Sequence, residues 1–528
     1  MVLNQHSSTE KYFFLGITLL LVAPLVFLPY IVTHDGPAHI YNSNLILQLI
    51  SHPGRPVAEL MRFNPEIVPN WIAHFSLAIL NSFLPGQIAE KILLLSYCLI
   101  FPFAFRKLVL GFYPDARAAT YLIFPFVQAF TFHIGFFSFS LGLCLSFYVI
   151  AKWFERNQKP SLLFVVLLTL LYFSHLFAFM VTFFTVLFLN GWNLLCSKEF
   201  SFRKFSSWRQ PILGRLVAWF LVSVPALFLT AIFVTKEVVH SHSNLPDASV
   251  VFEFLWNVRP LNALGLETEV MISGWMRYVY LALIIVVCVE SFQKIRKGQF
   301  KILQAENAWL ILALSMVFLF LALPDDMISG GVIGIRFCLM FFLFFSIWFA
   351  GKLPARKIWP AAFASILLSF ALLFVKYDAM QNLSLMAEDL STLSGKMEND
   401  QILMPLSYSD NWLFDNISCY IGVDRKILVL DNYEANQEHF PLQYNADKNP
   451  YRIYPDFGIK RNPCIDFLEF KNKTGLPIDF VLLIKPDQMP DDSCTRNVKL
   501  GLEKYFEQIA ETPQYHSVLY KLRTTPLN

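Results

Sequence analysis

Uninterrupted apolar segments of bilayer length recur along most of this chain. A helix needs about 20 apolar residues to cross the hydrocarbon core of a membrane, because each residue adds about 1.5 Å to its length. Only 15% of the 528 residues are charged, whereas soluble domains carry roughly 25% charged residues. Both features predict a polytopic, all-α membrane domain. The single apolar runs cover residues 12–33, 88–110, 216–235, 273–292, 307–323, 332–350 and 358–376.

Two further apolar stretches, residues 118–151 and 161–195, are too long for one membrane span. Each is predicted to form a tight helical hairpin, which brings the expected total to about eleven transmembrane helices. His133 and His175 lie near the middle of these stretches, and therefore at the predicted apices. The first run, residues 12–33, is too long for a typical signal peptide and is expected to remain as an anchor.

Clusters of lysine and arginine mark the loops that are expected to stay in the cytoplasm. Their distribution predicts a cytoplasmic N-terminus and an extracytoplasmic C-terminal tail. Segment 71–85 would reverse this alternation if it crossed the membrane, so it is predicted to lie on, or dip into, the outer face. The predicted outer segments are 34–87, 236–272, 324–331 and the tail from about residue 377.

The tail has a different composition from the preceding chain. Residues 1–376 are predicted to form the membrane domain, and residues 377–528 a soluble α/β domain. A Cys464–Cys494 disulfide is expected only if the tail faces an oxidising compartment. The net charge of +3 provides no basic surface for a nucleic-acid partner. Short apolar segments at 402–406, 426–430, 479–485 and 517–522 alternate with helical patterns at 385–399, 410–421 and 500–512.

An acidic residue directly follows the first apolar run. Asp35 is flanked by His34 and His39 in the sequence THDGPAH. A carboxylate at a membrane boundary must be solvated or paired. It is therefore either a solvated helix end, with Gly36-Pro37 forming the turn, or part of a functional site on the outer face.

The two apical histidines should lie below the outer membrane surface. Each hairpin arm of about 16 residues would span roughly 24 Å, whereas the hydrocarbon core is about 30 Å thick. His133 and His175 would then line a depression that holds water or ligand. The alternative is that each histidine makes a hydrogen bond within the helix bundle.

A late outer loop, LPDDMISGGVIGIRF, combines charges of both signs. An arginine inside a membrane segment is costly, so it is first interpreted as a functional residue. Its guanidinium suits a phosphate group. Arg336 could instead form a salt bridge with Asp325 or Asp326, and the two roles are compatible. Arg259, in the loop 236–272, is either an interfacial anchor or a further substrate ligand.

Taken together, these features resemble the C-type glycosyltransferases (the GT-C superfamily). The resemblance rests on Asp35 in a long first outer loop, on the PDD…GG…R element, and on an outer α/β tail that ends VLYKLR. It implies an inverting transfer of a sugar from a polyprenyl-phosphate carrier to a lipid, glycan or protein acceptor, at the outer face of a bacterial inner membrane and among its lipids. Asp35 would be the general base, and Arg336 would stabilise the phosphate leaving group. The substrate-binding residues would be His34, His39, His133, His175, Arg259, Asp325, Asp326 and Arg336.

One departure from the family concerns metal binding. Many members carry a second acidic residue next to the first-loop aspartate, whereas here Gly36-Pro37 follows Asp35. No metal ligands are therefore predicted, and a divalent metal cofactor is left open. Three alternative functions also stay open: an O-antigen polymerase or ligase, a transporter or flippase of lipid-linked sugars, and a non-catalytic relative.

Overall fold

Helices dominate the computed structural model of the protein. It describes residues 2–51, 56–196, 205–236, 244–299, 303–326, 331–458 and 463–524. The α-helices are α1 (Val2–Phe27), α2 (Gly36–Ser51), α3 (Pro56–Leu60), α4 (Trp71–Asn81), α5 (Gly86–Phe112), α6 (Phe130–His133), α7 (Phe137–Glu155), α8 (Leu162–Ser174), α9 (Leu176–Leu195), α10 (Phe205–Lys236), α11 (Ala248–Trp256), α12 (Glu267–Arg296), α13 (Asn307–Ala322), α14 (Ile333–Lys352), α15 (Ala355–Thr392), α16 (Pro450–Ile453), α17 (Phe467–Thr474) and α18 (Ser493–Tyr505).

Eight helices of the described chain are both long enough and apolar enough to cross a bilayer: α1, α5, α7, α9, α10, α12, α14 and α15. Helices α8 and α13 are equally apolar but have only 13 and 16 residues. These helices confirm the predicted polytopic membrane class. Helix α4, within the predicted segment 71–85, has 11 residues. At about 1.5 Å per residue it is too short to cross a core of about 30 Å.

The helical hairpin predicted for residues 118–151 is wrong in its first arm. Residues 117–126 form a 3₁₀ helix rather than an α-helix, and the four-residue α6 follows it. Pro125 lies within the 3₁₀ helix, where proline supplies no amide donor for α-helical hydrogen bonding. Because a 3₁₀ helix rises about 2.0 Å per residue, this arm reaches further per residue than the predicted α-helix.

The second hairpin region agrees better with the prediction. Helices α8 and α9 cover it, and His175 separates them in extended backbone conformation, with φ −162° and ψ 127°. The His175 side chain accepts a hydrogen bond from the amide of Phe177 at 3.1 Å. The histidine therefore acts as the N-cap of α9.

The chain divides into two compact units. The first, here called the helical unit, comprises Met1–Pro24 and Leu95–Asp378. The second, called the loop–tail unit, comprises Leu25–Leu94 and Ala379–Asn528. The first outer loop is therefore a structural part of the tail. The boundary predicted at residue 376 separates the membrane domain from the soluble domain, and it stays a prediction.

The loop–tail unit contains all the strands of the described chain. Its larger sheet has the order β3-β2-β5-β7-β6, in which the first three strands are parallel and the last two pairings are antiparallel. A second, two-stranded sheet pairs β1 of the first loop with β4 of the tail. The strands are β1 (Met61–Phe63), β2 (Ile402–Ser407), β3 (Leu428–Val429), β4 (Leu442–Tyr444), β5 (Phe480–Ile484), β6 (Phe506–Glu511) and β7 (Ser517–Leu522).

The four predicted apolar segments of the tail coincide with β2, β3, β5 and β7, which confirms the α/β domain. The helical pattern at 500–512 is wrong in its second half, because residues 506–511 form the edge strand β6. Strand β5 is buried along its whole length, as expected of a central strand. Cys464 and Cys494 form a disulfide, with their Cα atoms 5.4 Å apart.

Candidate functional site

Asp35 lies in the loop–tail unit, immediately before α2. Its carbonyl oxygen accepts a hydrogen bond from the amide of His39 at 3.0 Å, and Thr33 Oγ1 accepts one from the amide of Gly36 at 3.0 Å. These bonds fix the first turn of α2. Asp35 is only 7% exposed, so the alternative of a solvated helix end is wrong.

His34 connects Asp35 to a second carboxylate. Its Nδ1 lies 2.7 Å from Asp35 Oδ1, and its Nε2 lies 3.5 Å from Asp415 Oδ2. Burial alone would lower the pKa of His34, but the hydrogen bonds and charges of the two carboxylates outweigh it and raise the pKa to about 9. The His34 ring packs against Trp412, with centroids 5.1 Å apart. His34 is therefore an imidazolium at neutral pH.

Tyr433 makes a further hydrogen bond to Asp35. Burial, together with the charges of Asp35 and Glu434, raises the pKa of Tyr433 well above its usual value. The hydroxyl therefore keeps its proton and donates to the carboxylate. Asn416 holds the same loop in place by donating to the carbonyl oxygen of His34 at 3.0 Å. The Asp35 carboxylate is thus oriented by two donors, one of them charged.

His39 points into a different cluster from Asp35. Its Nδ1 lies 2.6 Å from Glu434 Oε1 and 3.3 Å from His74 Nε2, and His74 Nε2 lies 2.8 Å from Glu434 Oε2. Burial would raise the pKa of Glu434, but the charges and contacts of the two histidines hold it well below its usual range. These three residues could bind a metal ion.

Arg336 and His175 belong to the helical unit and line one cavity there. The cavity has a volume of about 700 Å³, and its walls come from α9, α13 and α14. Nearly all of the lining is aliphatic or aromatic. Arg336 is 6% exposed, and its guanidinium stacks over the ring of Phe136, 4.2 Å from the ring centroid. Of the two apical histidines, His175 therefore shares a cavity with Arg336.

Asp325 caps the helix that carries Arg336. Its Oδ1 accepts a hydrogen bond from the amide of Gly334 at 2.7 Å, and its carbonyl oxygen accepts one from the amide of Ile333 at 3.0 Å. A carboxylate at a helix N-terminus satisfies free amides and the helix dipole. Asp326 is half-buried beside it.

His133 and Arg259 also lie in the helical unit. His133 ends α6 and is 1% exposed, and its Nε2 has no hydrogen-bond partner among the described residues. The Arg259 guanidinium lies over the ring of Phe130, 5.1 Å from the centroid, and donates to the carbonyl oxygen of Asn262. Neither residue lines the cavity of Arg336.

The predicted residues thus fall into two groups. His34, Asp35 and His39 belong to the loop–tail unit, whereas the others belong to the helical unit. That Asp35 and Arg336 open into one pocket stays a prediction.

The tail partners of the first loop could not be recognised from the sequence. Asp415, Tyr433 and Glu434 are polar residues in a polar region, and Glu434 follows its partner His74 by 360 residues. No local pattern marks such contacts.

A buried ion pair in the helical unit was likewise not predicted from the sequence. Lys376 Nζ lies 3.3 Å from Glu269 Oε1 and donates to the carbonyl oxygens of Gln128 and Leu261, at 3.0 Å and 3.2 Å. Both charged side chains are almost fully buried.

Comparison with known proteins identifies the architecture. Neither a protein-family model nor a curated protein sequence matches the chain. Two solved structures match it, both of ArnT from Cupriavidus metallidurans, a GT-C glycosyltransferase. The apo structure superposes with a TM-score of 0.54 and the structure bound to undecaprenyl phosphate with 0.52; each is 11% identical and covers 98% of both chains. The protein has the GT-C fold. The GT-C fold confirms the predicted architecture of many membrane helices followed by an α/β tail.

Proposed function

We propose that the protein is a membrane glycosyltransferase that takes its sugar from a polyprenyl-phosphate carrier. The observation that carries the proposal is the apolar cavity of about 700 Å³ with Arg336 and His175 in its wall. An isoprenoid chain needs apolar walls, and its phosphate needs a cation at one end. The likeness in fold to ArnT, which binds undecaprenyl phosphate in one solved structure, supports this choice of carrier.

In this proposal Arg336 binds the phosphate. Its guanidinium can donate two parallel hydrogen bonds to phosphate oxygens, and it keeps its charge under all physiological conditions. The charge on the phosphate increases as the sugar leaves, so a fixed cation stabilises the transition state more than the ground state. His175 would contact the same head group, and Asp325 would support the helix turn.

Asp35 would act as the general base. It would take the proton from the acceptor hydroxyl as that oxygen attacks the anomeric carbon from the face opposite the phosphate, which inverts the configuration. A positioned base contributes about 10²–10⁴-fold to the rate. His34 and Tyr433 support this role because they hold the carboxylate in one orientation.

The proposed location is the bacterial inner membrane, with the N-terminus in the cytoplasm and the loop–tail unit outside. The basic loops support this orientation. The Cys464–Cys494 disulfide supports it as well, because disulfides persist in oxidising compartments and are rare in the cytosol. The acceptor would be a lipid, glycan or protein that is accessible from that side.

The test is a transfer assay with the purified protein in lipid nanodiscs, supplied with a polyprenyl-phosphate sugar and a membrane extract as the source of acceptor. Release of the lipid phosphate is measured. The Asp35→Asn variant should be slower by at least about 10²-fold, because the amide keeps the shape but cannot accept the proton. Arg336→Lys should also be impaired, since an ammonium group cannot make the two-pronged contact.

The matched control is Asp410→Asn, an exposed carboxylate in the same unit, which should leave the rate unchanged. Thermal unfolding of each variant separates lost chemistry from lost structure. Full turnover by Asp35→Asn would exclude Asp35 as the base. Movement of lipid-linked sugars across vesicles without any transfer would favour a transporter instead.

A further inference from the structure

A buried cluster of two histidines and one glutamate lies in the loop–tail unit, and only one of its members, His39, was predicted to bind substrate. His39 comes from α2, His74 from α4, and Glu434 from a 3₁₀ helix at Tyr433–Asn436. The three residues are 5%, 1% and 0% exposed. Three separate chain segments therefore bring their metal-binding atoms to one point within the protein interior.

In the neutral form of His74, one imidazole lone pair of this cluster faces the other two members. His74 Nδ1 lies 3.1 Å from the carbonyl oxygen of Asn70, to which it can only donate, so neutral His74 carries a lone pair on Nε2. That lone pair faces the carboxylate of Glu434 at 2.8 Å and His39 Nδ1 at 3.3 Å. A proton on Nε2 would form an ion pair with Glu434, whereas a metal ion at this nitrogen would contact the carboxylate and the second imidazole together.

The carboxylate has one oxygen at the same place that no hydrogen bond satisfies. Glu434 Oε1 is buried and accepts no hydrogen bond from any described residue, although His39 Nδ1 lies only 2.6 Å away. The two atoms are close enough for a hydrogen bond, so the angle at which they approach each other must exclude one. The in-plane orbital of His39 Nδ1 is directed towards His74 instead. Two imidazole nitrogens and a carboxylate therefore converge within 4.8 Å of one another, and one carboxylate oxygen has no hydrogen-bond donor among the described residues.

We propose that His39, His74 and Glu434 bind a divalent transition-metal ion, with zinc as the preferred ion. A cation at the point of convergence would be coordinated by both nitrogen lone pairs and by the carboxylate. Zinc bonds of about 2.0–2.2 Å in tetrahedral geometry separate neighbouring ligand atoms by about 3.3 Å, which matches the 3.3 Å between the two nitrogens. The glutamate would retreat by roughly half an ångström.

The surroundings supply what a metal site requires beyond its direct ligands. A ligating imidazole usually donates its other N–H to a carbonyl or carboxylate, and His74 does so to Asn70. Asn42 Nδ2 donates to Glu434 Oε2 at 2.7 Å and orients the carboxylate. The ring of Phe440 covers both imidazoles, at 6.2 Å from His39 and 5.7 Å from His74. Three protein ligands leave a fourth position for water.

The ion would fix the first loop to the tail next to the proposed base. His39 follows Asp35 by one helical turn, and Tyr433, which bonds to Asp35, directly precedes Glu434. The metal would thus be a positioning element for Asp35. Metal binding itself does not depend on the proposed transfer reaction, and its test needs no substrate.

The experiment measures metal in the full-length protein, purified in detergent without chelators. Elemental analysis should give about one zinc ion per chain, and chelation should lower Tm, which added zinc should restore. Co²⁺ should replace zinc and give the visible ligand-field absorption of a four-coordinate nitrogen and oxygen site. The variants Glu434→Gln and His74→Ala should retain less than about a tenth of the metal.

Two matched variants serve as controls. Glu438→Gln removes an exposed carboxylate four residues further along the chain, and His516→Ala removes an exposed histidine that faces Glu511. Both should bind metal like the wild type. Wild-type protein that neither contains zinc nor shows the Co²⁺ absorption would overturn the proposal, whether or not the variants fold. Full metal content in Glu434→Gln would overturn it equally.

Discussion

The imidazole of His34 lies between the carboxylates of Asp35 and Asp415, mostly shielded from water. In such a site the charged form of the histidine is stabilised by its partners more than burial destabilises it. The tail carboxylate therefore influences the proposed base through an intermediate ring. Asp415 is a positioning residue in this arrangement.

The raised pKa of His34 predicts a pH-dependent stability. The folded protein binds this proton up to about pH 9, whereas the unfolded chain releases it near pH 6.5. The stabilisation of the folded protein by protonated His34 is therefore complete below pH 6.5 and is lost as the pH rises through about 9. Since each pKa unit corresponds to about 1.4 kcal/mol, this stabilisation is on the order of 3 kcal/mol.

The measurement compares Tm of the wild type with that of His34→Gln from pH 6 to pH 10. The wild type should be more stable at the acidic end, and the two curves should converge above about pH 9. His516→Gln, an exposed histidine, should show no comparable convergence. A difference in Tm that is independent of pH would mean that His34 contributes through packing alone.

At the scale of elements, the junction of α13 and α14 depends on a glycine. A methyl group on Gly334 would meet the ring of Phe320 at 2.2 Å, and Asp325 Oδ1 lies 3.0 Å from the same position. Gly334 also donates its amide to that carboxylate. Close approach of the two helices, and hence the cavity that contains Arg336, requires the absence of a side chain here.

The variant Gly334→Ala should therefore be destabilised, by about 1–3 kcal/mol, because overpacking forces the neighbouring ring or helix to shift. Thermal unfolding in detergent measures the loss. Gly331→Ala is the control, since nothing lies within 4 Å of its added methyl group. An unchanged Tm for Gly334→Ala would show that the ring of Phe320 moves aside freely.

At the scale of the whole molecule, the number of membrane crossings determines the side on which each loop lies. Helices α13, α14 and α15 separate the basic loop after α12 from the tail. If all three cross the membrane as proposed, these two regions lie on opposite sides, with the basic loop in the cytoplasm. The first loop should lie on the same side as the tail, with which it forms one compact unit.

Cysteine labelling of spheroplasts with a membrane-impermeant maleimide tests this topology. Ser51→Cys and Asn472→Cys, both exposed positions, should react from outside, and Gln299→Cys only after permeabilisation. The parent protein without added cysteine gives the background. Reaction of Gln299→Cys in sealed spheroplasts would reverse the proposed orientation.

The amino-acid sequence by itself determined the membrane class, most of the helices and four strands of the tail. These features depend on apolar runs and on local periodicity, which are properties of neighbouring residues. The 3₁₀ helix at 117–126 could not be predicted in this way, because an apolar run has the same composition whether it forms an α-helix or a 3₁₀ helix. Strand β6 could not be predicted either, because its pairing with β7 overrides a local helical pattern.

Only the tertiary structure decided which polar residues meet. Asp35 lies against Tyr433, His74 against Glu434, and Lys376 against Glu269, across hundreds of residues in the first two pairs and about a hundred in the third. Burial makes an unpaired charge costly, so each of these groups must have a partner. The sequence identifies the group that needs one, whereas the packing of distant segments determines which residue supplies it.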